Sequence, residues 1–336
     1  MLNVLLTRRF FQRDIDYIES RLKPGIVLLK PDDYSVESLA RYAHDADVFF
    51  GPLVSAELCS AAPKLRFIQV PWTGVDNVDL KLAQDLGVRV CNSHSNASAV
   101  AEHAVALYFA LAKKLVYHDR MMRQGCWNRP LPDGSNAESP FSYRIGGSNI
   151  GLLGCGHIGS QIVKYLAPYD CRFHIVDIDP NQSLYEKYKV VYYPPKSMDE
   201  MFATVDCLFV CMPLTEATRG LLSAGRLARL KPQALLVNTS RAEIVDEAAL
   251  YKALESRSLA GAAMDVWYNA PSSPAQADVP PSLHYPFHKL DNMLLSPHRA
   301  AMVALELPHL DDAIENLNRA VSGLPPINIV SCGDGF

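Results

Sequence analysis

Three glycines lie between two patterned stretches of the chain. Residues 149–153 have the pattern of a buried strand, Gly154-Cys-Gly-His-Ile-Gly159 follows, and residues 161–166 have helical spacing. In this context Gly154 permits a tight turn, Gly156 lets a ligand approach the backbone, and Gly159 allows the helix to pack closely against the strand. Free N–H groups at the start of such a helix bind phosphate. The loop therefore predicts a dinucleotide site.

An acidic residue, Asp177, ends the next predicted strand, residues 172–177, and lies 18 positions after Gly159. A carboxylate in this position accepts hydrogen bonds from the ribose hydroxyls of adenosine and repels the 2′-phosphate of NADP. Residues 178–180 contain no Arg or Lys to compensate, so we expect NAD rather than NADP. The alternative is a glycine turn in an α/β domain that binds no phosphate.

Two polar residues follow apolar runs further along the chain. Arg241 comes after residues 234–237, and His298 comes after a short strand pattern and a proline. Ligands of open α/β sheets bind at the carboxyl ends of the strands. A guanidinium there can hold a carboxylate through two hydrogen bonds, and an imidazole can exchange a proton with a substrate oxygen. The alternatives are a surface ion pair for Arg241 and a purely structural role for His298.

Short apolar runs alternate with helical patterns along nearly the whole chain. This alternation implies parallel sheets with right-handed crossovers, and therefore a doubly wound α/β architecture. A stretch rich in Pro, Gly, Ser and Asn, residues 129–142, predicts a surface loop. The predicted strands are residues 4–7, 48–50, 65–70, 88–90, 149–153, 172–177, 207–212, 234–238 and 293–295, and the predicted helices include residues 35–44, 80–86, 100–121 and 300–321.

The length of 336 residues suggests about two domains. About 40 residues follow the last predicted strand, which is too few for a third domain. We expect them to return to the first domain and make it discontinuous. The predicted domains are residues 1–97 with 300–336, and residues 98–299.

Composition excludes several classes of protein. The 32 basic and 36 acidic residues give a formal charge of −4, which argues against a nucleic-acid partner bound by a basic face. The most apolar stretch, residues 97–112, contains Glu102 and His103 and is shorter than the roughly 20 apolar residues of a membrane span. The eight cysteines include no Cys-x-x-Cys spacing, so we expect no metal site, structural thiols and a reducing, cytoplasmic compartment.

Several motifs occur in a fixed order around the glycine loop. Lys64-Leu-Arg-Phe-Ile-Gln-Val-Pro-Trp-Thr-Gly-Val-Asp76 and Asn96-Ala-Ser-Ala-Val-Ala-Glu-His103 precede it. Cys211-Met-Pro-Leu-Thr215, Val237-Asn-Thr-Ser-Arg-Ala-Glu-Ile-Val-Asp246, Ala263-Met-Asp-Val-Trp267 and Leu295-Ser-Pro-His298 follow it. Over about residues 45–325 the chain resembles the D-isomer-specific 2-hydroxyacid dehydrogenases, which include formate dehydrogenases. The two earlier motifs resemble the substrate loop and the hinge of that family.

The resemblance implies a Rossmann nucleotide-binding domain, residues 98–299, inserted in a flavodoxin-like substrate domain. It implies an NAD-dependent oxidoreductase that interconverts a small D-2-hydroxy acid and its 2-oxo acid by hydride transfer. Arg241 would anchor the substrate carboxylate and His298 would act as the acid and base. A symmetric homodimer through the nucleotide domains is also implied.

The resemblance also implies individual contacts. Asp265 would hydrogen-bond the carboxamide of the nicotinamide, and Trp72 would line the substrate pocket, although it suits an apolar core equally well. His94 and His103 lie near the hinge and could line the cleft, but we expect them to be structural. The predicted substrate contacts are Trp72, Thr73, Gly74, Val75 and Asn96. The predicted cofactor contacts are Gly154, Gly156, His157, Ile158, Gly159, Asp177, Met212, Pro213, Thr239 and Asp265.

One position departs from the family pattern. Most members have a glutamate that hydrogen-bonds the catalytic histidine, and formate dehydrogenases have glutamine, but here the residue is Ala270. We therefore expect reduction of a 2-oxo acid to slow steeply above about pH 6.5, the ordinary titration point of an imidazole. Candidate substitutes for the missing acid are Glu243, Asp278 and Glu306. The alternative function is a catalytically weak NAD(H)-binding scaffold or sensor.

Overall fold

The computed structural model describes residues 1–269, 282 and 284–330. The chain divides into two compact units. Unit 1 consists of Met1–Asn96 with Ala301–Phe336, and unit 2 consists of Ala97–Ala300. Both ends of the chain therefore contribute to unit 1, and unit 2 lies between them in sequence.

Two parallel sheets organise the described residues, one in each unit. The strands in chain order are β1 (Leu2–Leu6), β2 (Ile26–Leu29), β3 (Val48–Phe50), β4 (Phe67–Gln69), β5 (Arg89–Cys91), β6 (Asn149–Leu153), β7 (Arg172–Val176), β8 (Val191–Tyr193), β9 (Cys207–Val210), β10 (Leu235–Asn238), β11 (Gly261–Met264) and β12 (Met293–Leu295). The α-helices are α1 (Gln12–Glu19), α2 (Val36–Ala43), α3 (Ala56–Ser60), α4 (Leu80–Asp85), α5 (Ala97–Ala112), α6 (Leu115–Arg123), α7 (His157–Leu166), α8 (Gln182–Tyr188), α9 (Met198–Phe202), α10 (Ala224–Leu227), α11 (Glu247–Glu255) and α12 (Asp311–Val321).

Unit 1 has the strand order β2-β1-β3-β4-β5. Successive residues of a strand point to opposite faces of the sheet, so each face receives its own apolar cluster. Val4 and Leu6 pack in a cluster with Leu317 of α12, and Leu5 packs in the other cluster with Leu39 of α2. This is the flavodoxin-like order, which confirms the predicted architecture of this unit.

Unit 2 has the strand order β12-β11-β10-β9-β6-β7-β8. Read from β8 across the sheet, the strands are the third, second and first of this unit in chain order, followed by the fourth to the seventh. This is the Rossmann order with one additional strand. Ile150 and Leu152 of β6 pack in a cluster with Ile162 of α7, and Leu153 lies in the opposite cluster with Leu250 of α11. Helices on both faces confirm the doubly wound prediction. Within the described residues, none of the helices combines the length and apolarity needed to span a bilayer.

The prediction of one helix over residues 100–121 is wrong. α5 ends at Ala112, and Lys114 has a left-handed backbone with φ 54° before α6 begins. The Tyr143 amide donates to the Ala112 carbonyl at 2.8 Å, and Lys113 Nζ donates to the Tyr143 carbonyl at 2.7 Å. A segment distant in sequence therefore closes the end of α5, and periodicity alone carries no sign of it.

The prediction of a helix starting at residue 300 is also wrong, because α12 begins only at Asp311. A short 3-10 turn, Pro308–Leu310, precedes it. Proline lacks a backbone N–H and restricts the residue before it, so the α-helix does not extend back through this point. The Ala300 amide instead donates to the carboxylate of Asp265 at 2.9 Å.

Candidate active site

The glycine loop of unit 2 connects β6 to α7 at the carboxyl edge of the sheet. Gly154 has φ +89°, and a Cβ there would lie 2.9 Å from the carbonyl oxygen of Cys211, which follows β9. A Cβ at Gly159 would lie 2.6 Å from the Gly154 carbonyl oxygen. Both positions therefore need glycine for packing. This agrees with the tight turn predicted at Gly154 and the close helix contact predicted at Gly159.

Gly156 differs from the other two glycines of the loop. A Cβ at this position would meet no atom within 4 Å, so packing does not require a glycine. Gly156 is the N-cap of α7, and a glycine supplies no side chain of its own to cap that helix. The space above Gly156 and the N–H groups of His157 and Ile158 together suit an incoming phosphate.

Asp177 lies directly beside the glycine loop. Its Oδ2 accepts a hydrogen bond from the Cys155 amide at 2.5 Å, and its Oδ1 accepts one from the Asp179 amide at 3.1 Å. These bonds fix the carboxylate at the end of β7, and each oxygen retains acceptor capacity. The position is compatible with the predicted ribose contact.

The loops after β9 and β10 are joined by hydrogen bonds. The Ser240 hydroxyl donates to the Met212 carbonyl, and the Thr218 hydroxyl donates to the Pro213 carbonyl at 2.7 Å. Thr239 immediately follows β10, beside Ser240. The three predicted cofactor contacts therefore lie in loops that leave adjacent strands at the same edge as the glycine loop.

Arg241 is half-buried at the end of the β10 loop. The Asn238 side chain holds this loop, because its amide donates to the Arg241 carbonyl at 2.8 Å and its oxygen accepts from the Ser240 amide at 3.0 Å. The Arg241 guanidinium donates to the Ser240 carbonyl at 2.8 Å. Sequence reasoning missed Asn238 and Ser240, the residues whose hydrogen bonds fix the conformation of this loop.

His298 is exposed in the segment after β12, and its backbone is left-handed with φ 55°. This conformation is uncommon for a residue other than glycine, and it persists only where neighbouring contacts impose it. The contacts come from the residues on both sides of His298. Ser296 and the amides of Arg299 and Ala300 all donate to one carboxylate, that of Asp265.

Asp265 is buried, with 1% of its surface exposed. The Arg299 amide donates at 2.8 Å and the Ala300 amide at 2.9 Å. His103 Nε2 lies 3.6 Å from Asp265 Oδ1 and 3.0 Å from Ser296 Oγ. Burial raises the pKa of Asp265, but the bonds from His103, Ser296 and the two amides more than offset it, so the pKa lies below its ordinary value.

These contacts extend the prediction for Asp265 and for His103. Asp265 was predicted only as a cofactor contact, and the structure adds a network that fixes both flanks of His298. His103 was expected to be structural, and it belongs to that same network. His103 and Asp265 are far apart in sequence, so no local pattern reveals the pairing.

In unit 1, the predicted substrate residues follow β4 in a hydrogen-bonded loop. The Thr73 hydroxyl donates to the Ser93 carbonyl at 2.8 Å and lies 3.2 Å from Asn96 Oδ1. Asn92 donates to the Thr73 carbonyl at 2.9 Å. Trp72 is half-buried against the apolar cluster on the α2 side, so it has a core contact and an exposed part together.

Four positions bear on the replacement of the family glutamate. Ala270 and Asp278 lie outside the described residues. Glu243 and Glu306 are exposed. Among the described residues, no group of three His, Cys, Asp or Glu side chains has the arrangement of a metal site.

A comparison with known families shows to which family this chain belongs. The model described as "D-isomer specific 2-hydroxyacid dehydrogenase, NAD binding domain" matches residues 105–300, more than half of the chain. The chain belongs to the D-isomer-specific 2-hydroxyacid dehydrogenase family. The predicted family is thereby confirmed, and the matched NAD-binding segment lies within unit 2, which carries the glycine loop.

Relatives and solved structures of this family agree. The chain is 30% identical to a glyoxylate reductase of Korarchaeum cryptofilum, over 98% of this chain and 95% of the relative. It is also 30% identical to a D-3-phosphoglycerate dehydrogenase of Archaeoglobus fulgidus, over 98% of this chain but only 59% of that longer relative. A 2-hydroxyacid dehydrogenase from Ketogulonicigenium vulgare superposes with a TM-score of 0.77 at 26% identity, covering 98% of this chain and 99% of that one.

Proposed function

We propose that this protein is an NAD-dependent oxidoreductase that interconverts a small D-2-hydroxy acid and its 2-oxo acid. The observation that carries the proposal is the Asp265 network, which anchors the residues before and after His298. A protein that only bound the nucleotide would have no chemical need to hold an exposed imidazole in an uncommon backbone conformation. The glyoxylate reductases among its relatives support a small 2-oxo acid as the substrate.

NAD fits the residues of unit 2. The amides at the start of α7 would hold the pyrophosphate above Gly156, and Asp177 would accept from the ribose hydroxyls of the adenosine. The bound nicotinamide supplies or receives the hydride. Because the Asp177 carboxylate would meet a 2′-phosphate as a like charge, we propose NAD rather than NADP. The Asp265 carboxylate and the loops at Met212, Pro213 and Thr239 would orient the nicotinamide.

Arg241 and His298 carry the proposed chemistry. The Arg241 guanidinium would hold the substrate carboxylate and polarise the neighbouring carbonyl. During reduction a ring nitrogen of His298 donates a proton to the substrate oxygen, and during oxidation it takes that proton back. In unit 1, the amides of Thr73, Gly74 and Val75 would bind the substrate carboxylate, with Trp72 and Asn96 as further contacts.

A substrate screen tests this function. NADH absorbance is followed with a panel of 2-oxo acids, and the wild type is compared with Arg241→Ala and His298→Ala. We expect kcat/KM to fall by about 100-fold or more in each variant. Arg229→Ala, at an exposed arginine of unit 2 that pairs with Asp199 at 3.6 Å, should leave turnover unchanged. Equal rates in His298→Ala and wild type would refute the assigned role.

A second candidate function is a catalytically weak NAD(H)-binding scaffold or sensor. The observation that favours it is Ala270 in place of the family glutamate. Tight NADH binding with no turnover across the whole panel would support the scaffold and exclude the dehydrogenase.

We also propose a homodimer formed through unit 2. α6 and the segment after it expose large apolar side chains, among them Leu115 at 55%, Met122 at 52%, Trp127 at 64% and Phe141 at 78%. Exposed apolar side chains in such a cluster are typical of a protein interface. Sedimentation of the wild type and of Trp127→Asp tests this, and a wild-type monomer at all concentrations would contradict it.

The compartment proposed for this protein is the reducing cytoplasm. The cysteines of the described residues are all free thiols, which suits a compartment that keeps thiols reduced.

A further inference from the structure

The strand order of the unit 1 sheet marks the carboxyl edge between β1 and β3 as a place where ligands of such sheets bind. Strand order runs in opposite directions from the β1–β3 pair, towards β2 on one side and towards β4 and β5 on the other. Ligands of open α/β sheets bind outside the carboxyl ends of the strands at such a reversal. Arg8 follows β1 and Gly51 follows β3, so these two residues lie on either side of the reversal.

Gly51 shows how closely the two loops approach. Its φ is +145°, and a Cβ there would overlap the Thr7 hydroxyl and lie 3.6 Å from Arg8 Cγ. The Thr7 amide donates to the Phe50 carbonyl at 3.0 Å, which extends the β1–β3 pairing. The backbone at the base of Arg8 is therefore held by the neighbouring strand.

Two aromatic rings hold the Arg8 side chain. Its guanidinium carbon lies 5.1 Å from the ring centre of Trp72 and 5.7 Å from that of Phe10. These are cation–π distances, and such contacts leave the positive charge in place. Arg8 is exposed, and within the described residues no carboxylate forms an ion pair with it. A positioned, exposed guanidinium without an acidic partner is available to bind an anion.

We propose that Arg8 is a specificity residue that binds a second anionic group on the substrate. Trp72, whose ring holds Arg8, directly precedes the loop of Thr73, Gly74 and Val75, which in the proposed function binds the first carboxylate. The Arg8 guanidinium thus lies 5.1 Å from the ring of the residue that precedes this loop, and the proposal places the far end of the substrate beside it. The preferred substrates then carry a carboxylate or a phosphate at the end distant from the reacting carbon. This inference rests on the proposed function for the direction in which the substrate lies.

Calorimetric binding of matched acids tests the proposal without requiring turnover. D-Malate is compared with D-2-hydroxybutanoate, which has a methyl group in place of the second carboxylate. D-3-Phosphoglycerate is compared with D-glycerate, so the two pairs distinguish a carboxylate from a phosphate. We expect the wild type to bind the dianionic member of at least one pair about tenfold more tightly, as a charge-assisted hydrogen bond predicts.

Three variants locate the preference. Arg8→Gln should remove it while leaving the binding of the monoanionic acids within about threefold, since an exposed charge has little effect on groups that it does not contact. Arg8→Lys, which keeps the charge but not the planar fork, should keep part of it. Arg9→Gln is the matched control: Arg9 is an exposed neighbour whose carbonyl accepts from Arg8 Nε, and its loss should change nothing.

The outcomes separate the two proposals. A wild type that binds both members of each pair equally, or binds none of them, overturns the role of Arg8, and so does an Arg8→Gln variant that weakens all acids alike. If no 2-oxo acid is turned over but the preference depends on Arg8, then the dehydrogenase proposal fails and the anion site stands. If turnover is normal and the preference is absent, then only the Arg8 proposal fails.

Discussion

At the scale of single residues, Gly156 and Gly159 have the same side chain and opposite surroundings. A Cβ at Gly159 would lie 2.6 Å from a backbone oxygen, and one at Gly156 would meet nothing within 4 Å. We expect Gly159→Ala to lower the free energy of unfolding by about 2 kcal/mol, the cost of overpacking. Gly156→Ala should fold normally and weaken NADH binding by about tenfold, because its methyl group occupies the phosphate space.

Urea denaturation and fluorescence titration with NADH measure these two quantities separately. The alanine variants serve as controls for each other, since the change in sequence is identical. Normal NADH affinity in Gly156→Ala would show that the phosphate lies elsewhere.

Asp265 gives a pH-dependent contribution to stability. Its pKa lies below the ordinary value in the folded protein, so the charged carboxylate stabilises the fold above the unfolded pKa of about 3.9. That contribution is lost as the pH falls below about 3.9 towards the folded pKa. We expect Asp265→Asn to be less stable than the wild type by about 3 kcal/mol at neutral pH, because the amide cannot accept all four donors.

The difference between the two unfolding free energies should stay constant from neutral pH down to about pH 4 and shrink below it. Asp291→Asn is the control, because Asp291 is exposed and its ion pair is with the exposed Arg257. A difference that is unchanged at pH 3, well below the reference pKa, would contradict the assigned ionisation.

Sequence reasoning proposed the polar residues of the candidate site but not their partners. Arg241 and His298 follow strand patterns, and Asp177 ends one, so a local pattern was sufficient to propose them. Folding brings distant partners to Arg8, His103 and Ser296, at sequence separations that no motif spans. The uncommon backbone of His298 likewise follows from the distant Asp265.

At the scale of elements, the sequence patterns missed three strands, β2, β8 and β11, and the structure gives a physical reason for β8 and β11. β11 consists of Gly261-Ala-Ala-Met264, and small residues give no apolar strand pattern. They are required because α5 packs on this strand, where a Cβ at Gly261 would lie 3.1 Å from a methyl carbon of Leu111. β8 is an edge strand with exposed Val191 and Tyr192, so it shows no buried face.

The last helix is tied to the unit 1 sheet by a buried polar pair. Asn316 is fully buried and donates to Gln69 Oε1 at 2.7 Å and to the Ile327 carbonyl at 2.9 Å, while its own oxygen accepts from the Ile327 amide at 2.7 Å. We expect Asn316→Ala to destabilise the protein by about 3 kcal/mol, because it leaves buried groups without partners. Denaturation midpoints measure this.

Glu315→Ala, at the exposed neighbour of Asn316, is the control and should change stability by less than about 0.5 kcal/mol. Equal effects of the two substitutions would show that the buried pair does not account for the loss.

At the scale of the whole molecule, the alternation of strand and helix patterns predicted two doubly wound sheets. The strand order within each sheet was not predictable from those patterns, because it depends on which face each crossover covers. The family resemblance supplied that order, and the structure confirms it.

The thiols of the described residues differ sharply in accessibility. Burial raises the pKa of Cys91 and of Cys155 to about 12, and of Cys171 to about 11. Cys126 is exposed. Since the thiolate is the reactive form, we expect iodoacetamide at pH 8 to modify Cys126 first among the described cysteines, with the buried three reacting only after unfolding.

Peptide mass spectrometry after timed labelling measures the order, with the peptide of Cys332 left out of the comparison because it lies outside the described residues. Cys126→Ser should remove the fast phase. Early labelling of Cys155 would show that the glycine loop opens in the native protein.

The position of α12 has a consequence for folding during synthesis on the ribosome. The face of the unit 1 sheet that carries Val4, Leu6 and Phe50 packs against Leu317 of that helix, which is translated only after all of Ala97–Ala300. At a translation rate of about 5–20 residues per second, this face of the nascent sheet stays uncovered for roughly 10–40 s. Unit 2 can complete its own core during that interval, so the segment Met1–Asn96, although translated before unit 2, becomes fully native after it.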